Sequence, residues 1–562
     1  MIEFKTSRSL LAATIISIIL AGCGGGSGGS HSSSASSTSV ASSSEASSTI
    51  TKLTSLTKDD SEMLPGNTLT AISTCTVCDP SKTQYQWFVE GNSSPVSVTN
   101  TYQFQLADKR KKISITATPY SAEGVAGATE TIVIARNQVE SIVGNCGAFA
   151  ALKTDGSVVA WGNAASGGDS SGKDLTHVAS VIAGQSSFVA IKTDGSVVTW
   201  GDEDSAAVLG YISSSSRDLT HVVSVTTNGG SFTALKADKS LVSWGLILGS
   251  IWGGTGLTDV ASVILGGYGG LASAAIRTDG SVYIWDDYFY APQNGLIPDL
   301  TGVVSGVGNS QAFAFLKADG SVVTWGGGAS GDSRGLDLTG VTSILGRDNT
   351  FAALKTNGTV VAWGSFIRTG TMGDNSGIDL THVVRVFGNG RSFAILKSDG
   401  SVVTWGESYA GGDSSGKDLT NVANVLEDGS GYFAVKTDGS VVVWGGSSFV
   451  DETNNVDLTN LATVVGNSGG AHAALKTDGS VVTWGYASSG GDSSGKDLTD
   501  VASVVRSCSS FAVIKNSGDV ISWGTFYDDD FDPDNVDDSS NADSSGVDFG
   551  KKDYLVSSTL NP

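Results

Sequence analysis

FAALKTDGSVVAWG, residues Phe149 to Gly162, returns as FVAIKTDGSVVTWG at Phe188 to Gly201, and the pattern closes again on Trp244, Trp285, Trp325, Trp363, Trp405, Trp444, Trp484 and Trp523. Ten segments share an apolar run, a turn that is most often Asp-Gly, a second apolar run ending in Trp, and a Gly-rich return. The Trp markers stand 38 to 44 residues apart, a period that marks a supersecondary unit stacked on copies of itself. Asp155-Gly156 between two apolar runs is a hairpin signal. A preceding run, Val178 to Ala183 after Asp174-Leu175-Thr176, supplies a third strand. In the Trp strand Val158 and Ala160 face one way and Val159 and Trp161 the other, so both faces of each sheet must be covered, as blades are by neighbouring blades. The expected fold is all-β: a β-propeller of about ten three-stranded repeats behind a small N-terminal sandwich.

The motif ALKxDGxVxxWG, over about Asn137 to Trp523, resembles the regulator of chromosome condensation repeat. Its short unit is similar to the propeller-type β-lactamase inhibitor protein. That resemblance implies a propeller whose ligand-binding surface lies on the loops of one face. Ten repeats exceed the family's usual number, so an open stack or two rings compete with one closed ring.

The cysteines bear on closure. Cys146 and Cys508 each stand three residues before the marker Phe of their unit, Phe149 and Phe511. They occupy one structural position in the first and last repeats, at opposite ends of a stack but in adjacent blades of a ring, where a bridge is geometrically feasible. Two buried free thiols are the alternative. Cys75-Thr76-Val77-Cys78 has no following His and no second ligand pair, which leaves a local disulfide as the expectation.

Upstream, residues 1–22 carry Lys5, Arg8 and an apolar run from Leu10 to Leu20, as a signal peptide does. Leu20-Ala21-Gly22-Cys23 resembles the bacterial lipobox, which implies a lipidated Cys23, and Gly24 after it implies sorting to the outer membrane. Residues 23–50 are a Gly- and Ser-rich tether with a root-mean-square span of roughly 28 Å. Residues 51–136 read as short alternating strands. There YQWFVEG and TYQFQLADKRKKISITATPYSAEG resemble bacterial immunoglobulin-like modules, implying a sandwich with Trp87 in its core. The propeller is expected over 137–562, including an acidic insertion at 528–548. Beyond the insertion, Asp553 to Ser557 resembles the first strand of another repeat, expected to complete the ring by pairing with the first blade.

A net charge of −23 repels phosphate backbones, and no basic patch offsets it, so nucleic acid is not an expected partner. His177, His221 and His382 share one Asp-Leu-Thr-His-Val slot and His472 replaces a marker Phe, so each reads as a repeat position rather than a catalytic singleton. GGDSSGKDLT recurs too far apart for stacked calcium nonapeptides and reads as a polar interblade loop. Asp530, Asp532, Asp534 and Asp537 are spaced to wrap a hard cation, so calcium is the one candidate cofactor, against a solvated acidic insertion. Exposed aromatics of the inserted loops, Trp252, Tyr288 and Tyr290, are the expected binding residues, against interblade packing.

The function expected is a non-enzymatic lipoprotein, held to the outer membrane by its lipid and exposed at the cell surface. It would be a scaffold for adhesion or for binding a protein or glycan partner. Inhibition of a secreted hydrolase and a polysaccharide-active propeller are the alternatives. Guanine-nucleotide exchange, known for the chromatin relative, conflicts with the export signal.

Overall fold

Each repeat folds as an antiparallel sheet in which an inner strand pairs with a middle strand and the middle with an outer one; in the third and tenth a two-residue strand, Tyr211–Ile212 or Ser540–Asn541, adds to the outer edge. The computed structural model describes residues 52–558 apart from 59–66, 106–110, 203–210, 247–255, 267–272, 286–298, 327–330, 365–377, 447–449, 527–539, 550–552 and isolated single or paired positions. Blade 1 is Val139–Gly144, Ala148–Lys153 and Val158–Gly162. Blade 10 is Val501–Arg506, Ser510–Lys515 and Val520–Phe526. In register, the marker Phe sits opposite the Trp, as in Phe149 and Trp161, and their rings lie 5.3 Å apart.

Both faces of the sheets are buried, as the two apolar parities require. All of Ala148–Lys153 is buried. Ala148, Ala150 and Leu152 pack on Val178, Phe188 and Trp200 of blade 2, whereas Phe149, Ala151 and Trp161 pack on Ala512 and Ile514 of blade 10. The alternation along one strand thereby divides it between two neighbours.

The hairpin departs from the two-residue turn that Asp-Gly suggests. Only Gly156 has a positive φ, 78°, and Lys153 N–H reaches the Ser157 carbonyl at 2.9 Å. Asp155 instead accepts from the Ser157 backbone N–H at 2.8 Å and its hydroxyl at 2.6 Å. Each inner strand carries a bulge at its second residue, for example between Val178 and Ser180, which bends the strand and turns that residue outward.

The blades close into one ring. Every inner strand lies against the inner strand of the blade before it, and Val139–Gly144 lies against Val501–Arg506. At this seam Trp161 Nε1 donates to Ser522 Oγ at 3.2 Å, and Cys146 is bonded to Cys508 with Cα atoms 4.5 Å apart. The chain after blade 10 supplies the missing connector. Its ADSSGVDFG, from Ala542, repeats the pattern of GDSSGKDLT, from Gly168. Ser545 N–H donates to Asp543 Oδ1 at 3.0 Å as Ser171 does to Asp169 at 2.8 Å. Phe549 takes the core place of Leu175, its ring edge-on to Trp161 at 5.4 Å.

The terminal strand corrects one expectation. Asp553–Ser558 does not pair with the first blade; it runs antiparallel to Glu130–Arg136, Leu555 opposite Ile134, as an edge of the N-terminal domain. Glu130–Arg136 pairs with Ile113–Thr118 on one side, and the terminal strand takes its other edge, as an unpaired edge is a template for an added strand.

That domain is a sandwich. One sheet holds Lys52–Lys58, Thr68–Thr76 and Thr101–Gln103, and the other Gln84–Val89, Ile113–Thr118, Glu130–Arg136 and the terminal strand. Trp87 is fully buried between them with Leu69, Ile113 and Ile115, and its indole N–H donates to the Thr99 carbonyl at 3.0 Å. Cys75 and Cys78 are bonded to each other at the end of Thr68–Thr76.

Candidate binding face

Strand direction sorts the ring into two faces. The inner strand runs up, the middle strand down and the outer strand up again, so the inner-to-middle turns and the segments leaving the Trp strands share one face. The middle-to-outer hairpins and the entries to the next inner strands share the other.

The hairpin face is uniform and its residues are engaged with one another. Entering each inner strand, His177, His221, Asp259, His382, Asn421, Asn460 and Asp500 all adopt φ between 56° and 61°, and Gly302 and Gly340 do so at 68° and 65°. This left-handed region suits Gly, Asn, Asp and His and penalises β-branched residues. The hairpin glycine of the preceding blade abuts this slot, as Gly156 does against His177 Cα. At the seam Gly518 abuts Gln138. Eight Asp-Leu-Thr aspartates pair with the lysine ending the same blade's middle strand, as Asp174 does with Lys192 at 2.6 Å. The hydrogen bonds from Lys192 and Thr176 pull the Asp174 carboxyl from the usual 3.8 down to about 2. The histidines therefore answer a backbone requirement. Replacing His177, His221 and His382 together by Asn should leave partner capture and melting temperature unchanged, whereas His177→Val alone should cost about 1–2 kcal/mol through its positive φ. Calorimetry on both variants checks this.

The connector face is where the blades differ. After Trp161, Trp405 and Trp484 the connector is the Gly-Gly-Asp-Ser-Ser type. Gly167, Gly411 and Gly490 turn at φ near 90° and accept the next blade's indole N–H, from Trp200, Trp444 and Trp523, at 3.0, 3.0 and 2.8 Å. One residue earlier, the carbonyls of Ser166, Ala410 and Ser489 accept from Asn145, Asn389 and Asn467 of the inner turn. The repeated phrase is thus an interblade clamp, in line with the polar-loop reading.

Two tyrosines stand out from this face. Tyr409 is 50% exposed and Tyr486 67%. They fall in clamp positions where the sister connectors hold Ala165 or Ser488, and Asn163 or Glu407. Arg391 of the blade 7 turn lies over the Tyr409 ring at 5.6 Å and hydrogen-bonds its hydroxyl. The Tyr486 ring lies on Gly470 of the blade 9 turn. Sequence reading missed all three, because it sought aromatics in the long insertions. The signal was a Tyr breaking an otherwise repeated connector.

Of the residues singled out in sequence, Cys23, Trp252, Tyr288, Tyr290, Asp530, Asp532, Asp534 and Asp537 lie outside the described residues. Among the described residues no group of three metal-ligating side chains converges, and His472 is buried against Trp484 with ring centroids 5.2 Å apart. No helix among them is long and apolar enough to cross a membrane.

No protein-family model and no curated protein matches the chain. Several solved structures share features of its trace. Prp20p from Saccharomyces cerevisiae, described with its binding to Gsp1p and histones, is 16% identical over 54% of this chain and 87% of its own, with a TM-score of 0.29. The CRINKLY WD40 ectodomain of the Arabidopsis thaliana receptor kinase ACR4 is 17% identical over 48% of this chain and 96% of its own, with a TM-score of 0.26. PorZ, a bacterial surface component of the type-IX secretion system of Porphyromonas gingivalis, is 12% identical over 73% of this chain and 67% of its own, with a TM-score of 0.21. At these scores the likeness carries no functional inference. The chain's own geometry defines its class: the described residues form a β-propeller of ten three-stranded blades, two of them with a short fourth strand, and a β-sandwich.

Proposed function

We propose that this chain is a lipid-anchored scaffold at the outer membrane that binds a partner through the connector face of its ring without catalysing a reaction. The observation that carries the reading is the asymmetry between the faces. On the hairpin face the recurring Asp, Lys and His are engaged in turns, ion pairs and a left-handed backbone slot. On the connector face the segments vary in sequence, and two tyrosine rings and Arg391 stand exposed on ordered turns. Large rings held by a rigid support are effective recognition anchors because little side-chain entropy is lost on contact. The signal peptide, the Cys23 lipobox and the tether support display away from the membrane.

Photo-crosslinking on intact cells, with the reactive group carried in place of Tyr409 or Tyr486, tests this. Capture of a discrete partner is expected, with Tyr409→Ala plus Tyr486→Ala weakening its binding by about 10-fold or more. Unchanged binding by the double variant removes the connector face from the site.

A further inference from the structure

One place in the lumen combines three features. Blade 7 is Val383–Gly388, Ser392–Lys397 and Val402–Gly406, and blade 6 begins with Val341–Arg347 and Thr350–Lys355. Beyond Val383, whose N–H donates to the Gly358 carbonyl of blade 6 at 2.9 Å, the inner strand of blade 7 pairs in its sheet on one side only, with Ser392–Lys397, so the rest of its other edge offers N–H and C=O groups to the lumen. An open edge of this kind is a template for an added strand.

Beside that edge lies a cavity of about 270 Å³ between blades 6 and 7. Leu345, Leu354, Val384 and Val386 make its apolar wall, with Ser343 as a polar side chain at its lining. Val384 sits in the bulge of its strand and is 48% exposed.

Charge is the third feature. The residue after the bulge is Ser, Thr or Asn in the other nine blades and Arg385 here. Arg385 Nη1 donates to Asn424 Oδ1 at 3.1 Å, with its guanidinium 5.0 Å over the Phe387 ring. Arg391, in the turn that follows, hydrogen-bonds the Tyr409 hydroxyl. Both are exposed, and neither is paired with a carboxylate among the described residues. Arg347 of blade 6, by contrast, is offset by Glu427 at 2.5 Å. In a chain of net charge −23, two uncompensated cations along one inner strand and its turn favour an anionic ligand.

We propose that the lumen takes an extended acidic peptide, added as a strand to the inner edge of blade 7, with one apolar side chain seated in the cavity between blades 6 and 7. Backbone pairing would supply affinity, the cavity would select the apolar residue, and Arg385 and Arg391 would select its acidic neighbours. This rests on the scaffold reading and names the chemistry of a partner segment.

The probe is a fluorescein-labelled nonapeptide alternating aspartate and leucine, titrated into the purified full chain and read by anisotropy. Saturable binding is expected. Val384→Trp, which plugs the cavity mouth from an exposed position, should weaken it by about 10-fold or more, as should Arg385→Glu with Arg391→Glu. A peptide with lysine for aspartate, or serine for leucine, should bind at least 10-fold more weakly. Val384→Trp is compared only if its melting temperature matches the parent; otherwise the arginine pair decides. Equal binding of the lysine peptide overturns the proposal, as does an unaltered affinity in the arginine variant. No saturable binding of the probe, while Tyr409 and Tyr486 still govern partner capture, also overturns it and leaves the scaffold reading standing.

Discussion

Replacing Cys146 and Cys508 together by Ser should lower the free energy of unfolding by about 3–5 kcal/mol, among the largest effects open to any pair of residues in the chain. The bond joins residues 362 apart in sequence, and a cross-link that closes a long loop removes the most freedom from the unfolded chain. In the folded ring its Cα atoms stand 4.5 Å apart, within the ordinary range for a disulfide. The Cys75–Cys78 bond, with a sequence separation of 3, provides the control. Its removal should cost about 2 kcal/mol or less by the same loop-length argument. Urea titration of both double variants under non-reducing conditions measures the difference. Equal losses would contradict a bridge at this seam, and free thiols at 146 and 508 in the parent would remove the bridge as support for closure. The seam also holds Phe149, Trp161, Phe526 and Phe549 in one apolar cluster, so the reduced ring is expected to remain folded but weaker.

Trp444→Ala is expected to cost about 3–5 kcal/mol, the range for deleting a buried large aromatic. Trp444 is 1% exposed, lies 5.3 Å from the Tyr432 ring and donates to the Gly411 carbonyl at 3.0 Å. The informative comparison is with Phe. Trp405 has a similar stacked partner, Phe393 at 5.0 Å, but its indole N–H has no hydrogen-bond partner among the described residues. Trp444→Phe strands the Gly411 carbonyl, whereas Trp405→Phe strands no acceptor among the described residues, so the first should exceed the second by about 1 kcal/mol. Chemical denaturation of the three variants checks both the magnitude and the gap. Equal losses from the two Phe variants would mean that the clamp adds nothing beyond ring packing.

Much of this was legible in the residues. The Trp period set the number of units, and the double apolar parity of strands such as Val158–Gly162 required cover on both faces, because side-chain direction is local and survives without coordinates. The shared position of Cys146 and Cys508 pointed to a ring because equivalent positions in first and last units meet only when the ends do. The repeat slot of His177, His221 and His382 was visible too, although its physical cause, a left-handed backbone, was not.

What needed the tertiary structure was everything set by the meeting of distant segments. The resemblance of Asp553 to Ser557 to an inner strand was real in pattern, yet strand pattern does not name a pairing edge, and the edge taken was that of Glu130–Arg136. The substitution of Phe549 for Leu175 became meaningful only once the tail lay across blade 1. Arg385 breaks a slot that is Ser, Thr or Asn in the other blades, but Val384 and Leu345 are two aliphatics in strands full of them. They come together because ring closure sets inner strands side by side around a lumen, a juxtaposition no local period encodes. Sequence alone determined ten like units behind a run of short alternating strands, since each is a statement about neighbours along the chain. Closure, the role of the final strand and the two unlike faces were decided by contacts between residues hundreds of positions apart.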